Sequence, residues 1–299
     1  MINICLAGTG GTIPLKDRWL TCLWLEYNGR AALVDCGEGT QIALAKSSCK
    51  LSKIDSIFIT HVHADHIAGL PGLLLTMGGH GRTEPVTIYA PIGTRYIIGN
   101  LCSICPFIPF QLFVKELDID GISNAEWNGF DIGILPLRHT MPCLGYSFSL
   151  NRLPVFSPDK AEALGIPKEQ WGEIQRNGEI VLDGRTITRD EVSGESREPI
   201  KITYMTDTMY FDGMTDFAKN SDLLVCEGMY GSESKDDKAR EKGHMLFSQS
   251  AQVARDSGSR ELWLTHFSPS LDDPNEFAEE AQRIFPNTVI PSDGRKCTL

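Results

Sequence analysis

The segment that most constrains the fold of this chain runs from residue 54 to residue 66, where an apolar run ends in metal-capable side chains. Residues 54–59 are rich in β-branched and aromatic side chains and predict a buried strand. The next seven residues are Thr60-His61-Val62-His63-Ala64-Asp65-His66. Neutral imidazoles and a carboxylate suit zinc or a similar divalent ion of the first transition row. The pattern therefore predicts a metal site on a loop at the end of a strand.

Strand-like runs alternate with helical patterns along the rest of the chain. We predict strands at residues 3–6, 31–34, 54–59, 86–89, 130–137, 201–205, 223–226 and 262–264. We predict helices at residues 67–76, 214–219, 249–256 and 276–284. This order predicts an α/β (α+β) protein with two β-rich halves and flanking helices.

The composition excludes several classes of protein. No apolar run approaches the roughly 18 residues that a membrane helix needs, and the start of the chain lacks the basic segment of a signal peptide. Nine cysteines, an odd number without paired spacing, indicate reduced thiols and a cytoplasmic location. The net charge of −11 argues against non-specific affinity for nucleic acid, because phosphate binding depends on clustered Lys and Arg.

Five further candidate residues lie at or just after the ends of predicted strands: Asp35, His139, Asp207, Glu227 and His266. Taken singly, each has a simpler interpretation as a turn residue or a half-buried polar cap. The carboxyl ends of strands in an α/β sandwich gather on one edge, where loops converge. Together with the cluster at residues 61–66, these residues therefore predict one site.

The pattern His-x-His-x-Asp-His resembles the metallo-β-lactamase superfamily of binuclear metallohydrolases. Other segments resemble the ribonuclease Z family within it: Leu6-Ala7-Gly8-Thr9-Gly10, Asp35-Cys36-Gly37-Glu38-Gly39-Thr40-Gln41, Gly69-Leu70-Pro71-Gly72, Asp207-Thr208 and Leu264-Thr265-His266. The resemblance extends to about residue 286. It implies one four-layered αββα metallo-β-lactamase sandwich over residues 1–299, with an inserted arm at residues 151–200.

The resemblance also implies a set of ligands for two Zn²⁺ ions, for which Mn²⁺ or Fe²⁺ could substitute. The first ion would be held by His61, His63 and His139, and the second by Asp65, His66 and His266. Asp207 would bridge the two ions, and Asp35 would orient a ligand histidine or brace the ligand loop.

Three residues are expected to be catalytic: Asp65, Glu227 and His244. In the family, a glutamate after a strand and a histidine in a later loop form a proton-delivering pair, which Glu227 and His244 would reproduce. The simpler interpretation of His244 is a histidine in a surface loop, and we expect His80 to be an exposed loop residue.

The inserted segment and the residues after His266 depart from the family pattern. Residues 159–167 resemble the start of the flexible arm by which ribonuclease Z binds transfer RNA, but the family's Gly-Pro pair is absent. The segment contains Asp183-Gly184, which predicts a hairpin, and few bulky core residues are expected in it. It carries seven Lys and Arg against ten Asp and Glu. Ser268-Pro269-Ser270 stands where the family carries Arg-Tyr.

The favoured function by resemblance is a zinc-dependent endonuclease that removes 3′ trailers from precursor transfer RNA, acting as a homodimer. The alternative is the same bimetallic site acting on a small phosphodiester, such as a cyclic nucleotide, or on an ester or amide. A third hypothesis, from another class, is a nucleic-acid-binding or metal-binding protein without turnover.

Overall fold

The computed structural model of the protein describes residues 1–118 and 125–299. These residues form two compact units. The first comprises Met1–Ser149 and Lys201–Leu299, and the second comprises Leu150–Ile200.

The described residues contain sixteen strands and ten α-helices. The strands are β1 Asn3–Gly8, β2 Cys22–Tyr27, β3 Arg30–Val34, β4 Ile54–Phe58, β5 Val86–Pro91, β6 Leu112–Leu117, β7 Ala125–Trp127, β8 Phe130–Leu137, β9 Cys143–Leu150, β10 Glu179–Leu182, β11 Arg185–Thr188, β12 Ile200–Met205, β13 Leu223–Glu227, β14 Leu262–Thr265, β15 Thr288–Val289 and β16 Arg295–Thr298. The helices are α1 Thr40–Lys46, α2 Ala64–Ile67, α3 Leu70–Gly79, α4 Arg95–Cys102, α5 Pro158–Ala163, α6 Trp171–Asn177, α7 Gly213–Phe217, α8 Asp236–Lys242, α9 Phe247–Asp256 and α10 Ala278–Ile284.

Two seven-stranded sheets form the first unit. The first sheet has the order β16-β1-β2-β3-β4-β5-β6, in which β3, β4, β5 and β6 are parallel neighbours. The second has the order β15-β14-β13-β12-β9-β8-β7, in which β12 to β15 run parallel. Because parallel neighbours end at the same edge, the loops after β3 and β4 lie together, as do those after β12, β13 and β14.

The two sheets pack face to face through aromatic side chains. Phe58 of β4 has its ring centroid 5.5 Å from Tyr146 and 5.2 Å from Phe148, both on β9. All three side chains are fully buried. Burying one such side chain stabilises the fold by about 1.5–3 kcal/mol, so this cluster is a principal contact between the sheets.

Helices cover the outer face of each sheet. Buried residues of α1, α3 and α4 join the core of the first sheet, and those of α7, α9 and α10 join the core of the second. The resulting order of helices, sheet, sheet and helices confirms the predicted four-layered αββα sandwich.

One predicted helix is wrong in its extent. The pattern predicts a single helix at residues 67–76, but α2 ends at Ile67 and α3 begins at Leu70. The chain bends at Gly69, whose backbone N–H donates to the carbonyl oxygen of Cys36 at 2.9 Å. A Cβ atom at Gly69 would lie 1.9 Å from the carbonyl oxygen of Gly37. This close approach of two loops requires glycine and separates the helices.

The second unit has a hydrophobic core of its own. The predicted hairpin is confirmed, since β10 and β11 pair with Leu182 opposite Arg185. The expectation of few core residues is wrong: the core contains Ala161, Ile166, Ile174, Ile180, Ile187 and Val192. Phe156 and Trp171 pack against it from the side. Most of these apolar residues are short segments apart in a stretch rich in charged residues, so no long apolar run indicates the core.

Within residues 1–118 and 125–299, none of the helices is long and apolar enough to cross a membrane.

Candidate metal centre

The predicted metal ligands, which lie far apart in the sequence, meet at the edge of the sandwich where the strands end. Their nitrogen and oxygen atoms form overlapping groups whose members lie within 4.8 Å of one another. Three of these groups are His61 with His63 and His139, Asp65 with His66 and His266, and His61 with His66 and Asp207. The structure thus brings together all seven residues for which the sequence predicted a ligand role.

Asp207 lies at the centre of this arrangement. Its Oδ1 atom is 4.0 Å from Nε2 of His61 and 3.7 Å from Nε2 of His139. Its Oδ2 atom is 3.2 Å from Nε2 of His66 and 3.4 Å from Nε2 of His266. One oxygen therefore faces the first histidine group and the other faces the second, as a carboxylate shared between two cations requires.

The donor atoms fit a divalent metal ion. Nε2 of His66 and Oδ2 of Asp207 are buried, and neither has a hydrogen-bond partner in the described part of the chain. Leaving a buried polar atom unpaired costs about 1–3 kcal/mol. A cation bound by both atoms would remove this cost, and imidazole with carboxylate is a donor set that zinc, manganese and iron accept.

Three residues of the site adopt left-handed backbone conformations. Asp35, Asp207 and His266 follow strands β3, β12 and β14 with φ angles of 64°, 58° and 62°. Such conformations cost residues other than glycine about 1–3 kcal/mol each and persist only where the surroundings enforce them. Each left-handed residue lies one or two residues after its strand and contributes a polar side chain to the site.

A buried carboxylate braces the ligand loop. Oδ2 of Asp35 lies 2.8 Å from Nδ1 of His66, and both side chains are fully buried. A proton on Nδ1 of His66 leaves Nε2 free to face Asp207, which is the tautomer that a metal ligand needs.

Glu227, at the end of β13, contacts two histidines at once. Its Oε1 atom lies 2.6 Å from Nδ1 of His244 and 3.3 Å from Nδ1 of His266. The backbone N–H of Thr208 donates to Oε2 at 3.0 Å. Because this carboxylate is fully buried and hydrogen-bonded at both oxygens, it fixes His244 relative to His266.

Burial and neighbouring carboxylates have opposite effects on the pKa values of these histidines. Burial lowers the pKa of His266, but the carboxylates of Asp207 and Asp65 outweigh burial and raise this pKa to about 10. Burial lowers the pKa of His61, which is more distant from a carboxylate. For His244, burial lowers the pKa, but Glu227 outweighs it and raises the pKa above the ordinary value for histidine.

The site opens into a cavity of about 490 Å³. Besides the histidines, its wall includes Tyr230, Lys238, Lys242 and Ser268. Nζ of Lys238 lies 5.4 Å from the centroid of the Tyr230 ring. Within the described residues, Lys238 has no carboxylate within 4.0 Å, so its charge is available to an anion in the cavity.

The sequence did not predict several contacts of the site residues. The backbone N–H of Thr12 donates to Oδ2 of Asp65 at 2.7 Å, and Nδ1 of His139 lies 3.0 Å from the carbonyl oxygen of Gly243. Thr60, directly before the histidine cluster, contacts Asp35 and His61. Of these residues, only Thr60 could have been identified from the sequence, because it directly precedes the histidine cluster.

One further histidine, His80, lies outside these groups and is exposed, as expected.

Comparison with known proteins shows long matches to ribonuclease Z. The ribonuclease Z of Clostridium acetobutylicum is 46% identical over 300 residues, which cover 98% of this chain and 96% of that protein. The ribonuclease Z of Lachnospira eligens is 43% identical over 299 residues, covering 100% of this chain and 98% of that protein.

Solved structures show the same fold. The short form of human tRNase Z matches with a TM-score of 0.70 and 24% identity, over 99% of this chain and 98% of that one. The metallo-β-lactamase-fold protein YhfI of Bacillus subtilis also has a TM-score of 0.70, with 19% identity over the whole of both chains.

Two family profiles match different parts of the chain. The profile described as "Anti-Pycsar protein Apyc1" matches residues 2–173, and the profile described as "Beta-lactamase superfamily domain" matches residues 195–267. The full-length identity to ribonuclease Z covers both segments. The chain belongs to the ribonuclease Z family of metallo-β-lactamase-fold proteins, and through residues 2–173 it also belongs to the family that the Apyc1 profile describes.

Proposed function

We propose that this protein is a metal-dependent endonuclease that removes 3′ trailers from precursor transfer RNA. The observation that carries this proposal is that a full-length match to ribonuclease Z coincides with an assembled cluster of metal-capable side chains. A binding protein without turnover would have no need of the buried Glu227–His244 pair beside that cluster.

Two Zn²⁺ ions are the proposed cofactors, with Mn²⁺ or Fe²⁺ as substitutes. The residues that would hold them are His61, His63 and His139 for one ion, Asp65, His66 and His266 for the other, and Asp207 between them. When bound, the ions supply positive charge that stabilises the attacking water and the phosphate in the transition state.

His244 is the proposed general acid. Its ring lines the cavity, and its Nδ1 atom is directed at Glu227. Glu227 raises the pKa of His244 and so favours the protonated ring, in which Nε2 carries a proton that can pass to a departing oxygen. A ribose 3′-oxygen leaves poorly without a proton, so RNA is the kind of substrate that needs this residue.

Positive charge on the cavity wall would hold the substrate. Lys238 and Lys242 line the same cavity as the ligand cluster, and Nζ of Lys242 also lies 3.1 Å from Oε1 of Glu241. They supply cations in the place of the family's Arg-Tyr pair, which is replaced here by Ser268-Pro269-Ser270. Lysine binds phosphate as a compact point charge.

The second unit offers another site for a phosphate backbone, although its net charge is negative. Arg176, Arg189 and Arg197 line a cleft of about 320 Å³, and no Asp or Glu is among the described residues that line it. Nε of Arg189 is buried without a hydrogen-bond partner in the described part of the chain. We therefore propose that this unit, the expected arm, contacts transfer RNA through this cleft.

A homodimer in the cytoplasm is also part of the proposal. On α4 and the segment after it, Tyr96, Ile104 and Phe107 are 78%, 68% and 92% exposed. Exposed apolar side chains gathered in one segment favour association with another chain. The nine cysteines are all free thiols, which suits a reducing compartment.

A second candidate function, hydrolysis of a small phosphodiester such as a cyclic nucleotide, is favoured by a separate observation. The net negative charge of the chain suits a substrate with little phosphate better than one with a long backbone.

One comparison of substrates separates the two functions. The metal-loaded protein is given precursor transfer RNA with a short 3′ trailer and, separately, cyclic mononucleotides, and kcat/KM is measured for each. We expect kcat/KM on the RNA to be larger by at least about 100-fold, since only the RNA engages both the cavity lysines and the arginine cleft. A larger value on a cyclic nucleotide would reject the endonuclease proposal in favour of the second candidate.

A further inference from the structure

The two groups of proposed metal ligands are connected below the site by Asp35. His66, from one group, contacts Oδ2 of Asp35 directly through Nδ1, at 2.8 Å. His61, from the other group, makes no such contact at its Nδ1 atom with a carboxylate of the described residues. Since a ligand histidine is oriented by the partner of its second ring nitrogen, the partner of this atom decides how His61 is held.

The partner of His61 is Thr60. Oγ1 of Thr60 lies 3.0 Å from Nδ1 of His61 and 3.0 Å from each carboxylate oxygen of Asp35. The backbone N–H of Thr60 also donates to Oδ1 of Asp35, at 2.8 Å. Thr60, His61 and Asp35 are all fully buried, so water does not compete for these contacts.

One arrangement of protons satisfies these contacts, and in it Nδ1 of His66 donates to Asp35 at 2.8 Å and not to the more distant Oγ1 of Thr60 at 3.4 Å. A threonine hydroxyl has one proton to donate and can accept two. If Nε2 of His61 faces a cation, Nδ1 carries the proton and donates it to Oγ1 of Thr60. The hydroxyl of Thr60 then donates its own proton to Asp35, which also accepts the Nδ1 proton of His66.

Another partner for His61 is less suitable. Sγ of Cys143 lies 3.7 Å from Nδ1 of His61, and also 3.7 Å from the carbonyl oxygen of Thr206. The carbonyl oxygen accepts the thiol proton, and sulfur is a weak acceptor. The hydroxyl of Thr60 is therefore the stronger partner.

We propose that Thr60 is a positioning residue that relays the carboxylate of Asp35 to His61, so that one buried carboxylate orients a ligand in each of the two metal sites. This relay rests on the proposed metal ligation. It goes beyond that ligation because it assigns to Thr60 an effect on one site and to Asp35 an effect on both.

The test compares metal binding in four proteins: the wild type, Thr60→Val, Thr60→Ser and Asp35→Ala. Valine keeps the shape of threonine and removes the hydroxyl, whereas serine keeps the hydroxyl. Each purified protein is loaded with Zn²⁺ and dialysed against zinc buffers of decreasing free Zn²⁺, and bound zinc is measured by elemental analysis. Circular dichroism of the metal-free proteins checks that each variant is folded.

Removing the partner behind a ligand weakens metal affinity by about 10–100-fold. We expect Thr60→Val to weaken one of the two zinc equivalents by this factor and to leave the other within about threefold of wild type. Thr60→Ser should restore both, and Asp35→Ala should weaken both.

Four outcomes would overturn the proposal. Wild-type affinity for both equivalents in Thr60→Val would show that the relay does not exist. Equal weakening of both in Thr60→Val would show a general packing role, as would failure of serine to restore them. A wild-type protein that binds no zinc would reject the metal centre and the relay together, which distinguishes it from failure of the relay alone.

Discussion

Nδ1 of His244 lies 2.6 Å from Oε1 of Glu227, a buried carboxylate at the end of β13. The same oxygen lies 3.3 Å from Nδ1 of His266. Glu227 therefore connects the proposed general acid to a proposed metal ligand through one atom. This geometry places the acid at a fixed position relative to the metal centre, and it leaves Nε2 of His244 for the substrate.

Replacing His244 should affect substrates according to how much their leaving group needs a proton. General acid catalysis typically contributes about 10²–10⁴-fold. We expect His244→Ala to lower kcat on precursor transfer RNA by about 100-fold or more. On a nitrophenyl phosphodiester, whose leaving group departs readily, the loss should be below about 10-fold. Equal losses on both substrates would indicate that His244 positions the phosphate or the metals instead.

Replacing Glu227 should change the pH dependence of the reaction. Glu227 raises the pKa of His244 against the opposing effect of burial, so Glu227→Gln should lower that pKa. A general acid is lost as pH rises through its pKa. The basic limb of the pH–kcat profile on RNA should therefore move to lower pH in Glu227→Gln. A basic limb at the wild-type pH, with both metals still bound, would show that another group is the acid.

Asp207 should be required for metal binding. Its two oxygens face two different histidine groups, and Oδ2 is buried without a hydrogen-bond partner among the described residues. We expect Asp207→Ala to abolish activity and to lose at least one metal equivalent, measured by elemental analysis after gel filtration. Substitution of the exposed Asp159 by alanine provides a matched control, with both equivalents retained. Two equivalents in Asp207→Ala would reject the bridging role.

The second unit should contribute to RNA binding through its arginine cleft and not through its net charge. We expect the double variant that combines Arg176→Gln and Arg197→Gln to raise KM for precursor transfer RNA. The log–log slope of kcat/KM against salt concentration should become shallower by about one for each phosphate that the variant no longer binds. Hydrolysis of a nitrophenyl phosphodiester should be unchanged.

Arg185→Gln is the control for these variants. Arg185 lies in the same unit but outside the cleft, where Nη2 of Arg185 is 2.5 Å from Oε1 of Glu191. An unchanged KM for RNA in the double variant, or an equal change in Arg185→Gln, would show that the cleft does not bind RNA. Deletion of residues 158–198 should reproduce the effect of the double variant on RNA.

The pattern of apolar and polar residues within single segments predicted the central elements of the fold but not the contacts between them. The predicted strand at residues 130–137 coincides with β8, because apolar residues alternate with polar or small ones from Phe130 to Ile134. The helix predicted at residues 67–76 is interrupted at Gly69 by the loop around Gly37, which is distant in the sequence and which no local pattern contains.

In the candidate site, too, the sequence predicted individual residues but not the contacts between them. The residues at strand ends could be identified because side-chain type and spacing are local properties. Their second partners could not, since the contact of Asp35 with His66 depends on the parallel pairing of β3 with β4. The contact of Glu227 with His266 likewise depends on the pairing of β13 with β14.

The most direct test of the central claim is to map the ends of the RNA products. Precursor transfer RNA with a labelled 3′ trailer is incubated with the zinc-loaded protein, with the chelated protein and with chelated protein to which Zn²⁺ is restored. We predict one cut at the 3′ end of the mature transfer RNA, leaving a 3′-hydroxyl on it and a 5′-phosphate on the trailer. The cut should disappear on chelation and return with zinc. Intact precursor in the presence of zinc, under conditions where the protein hydrolyses a small phosphodiester, would contradict the endonuclease function.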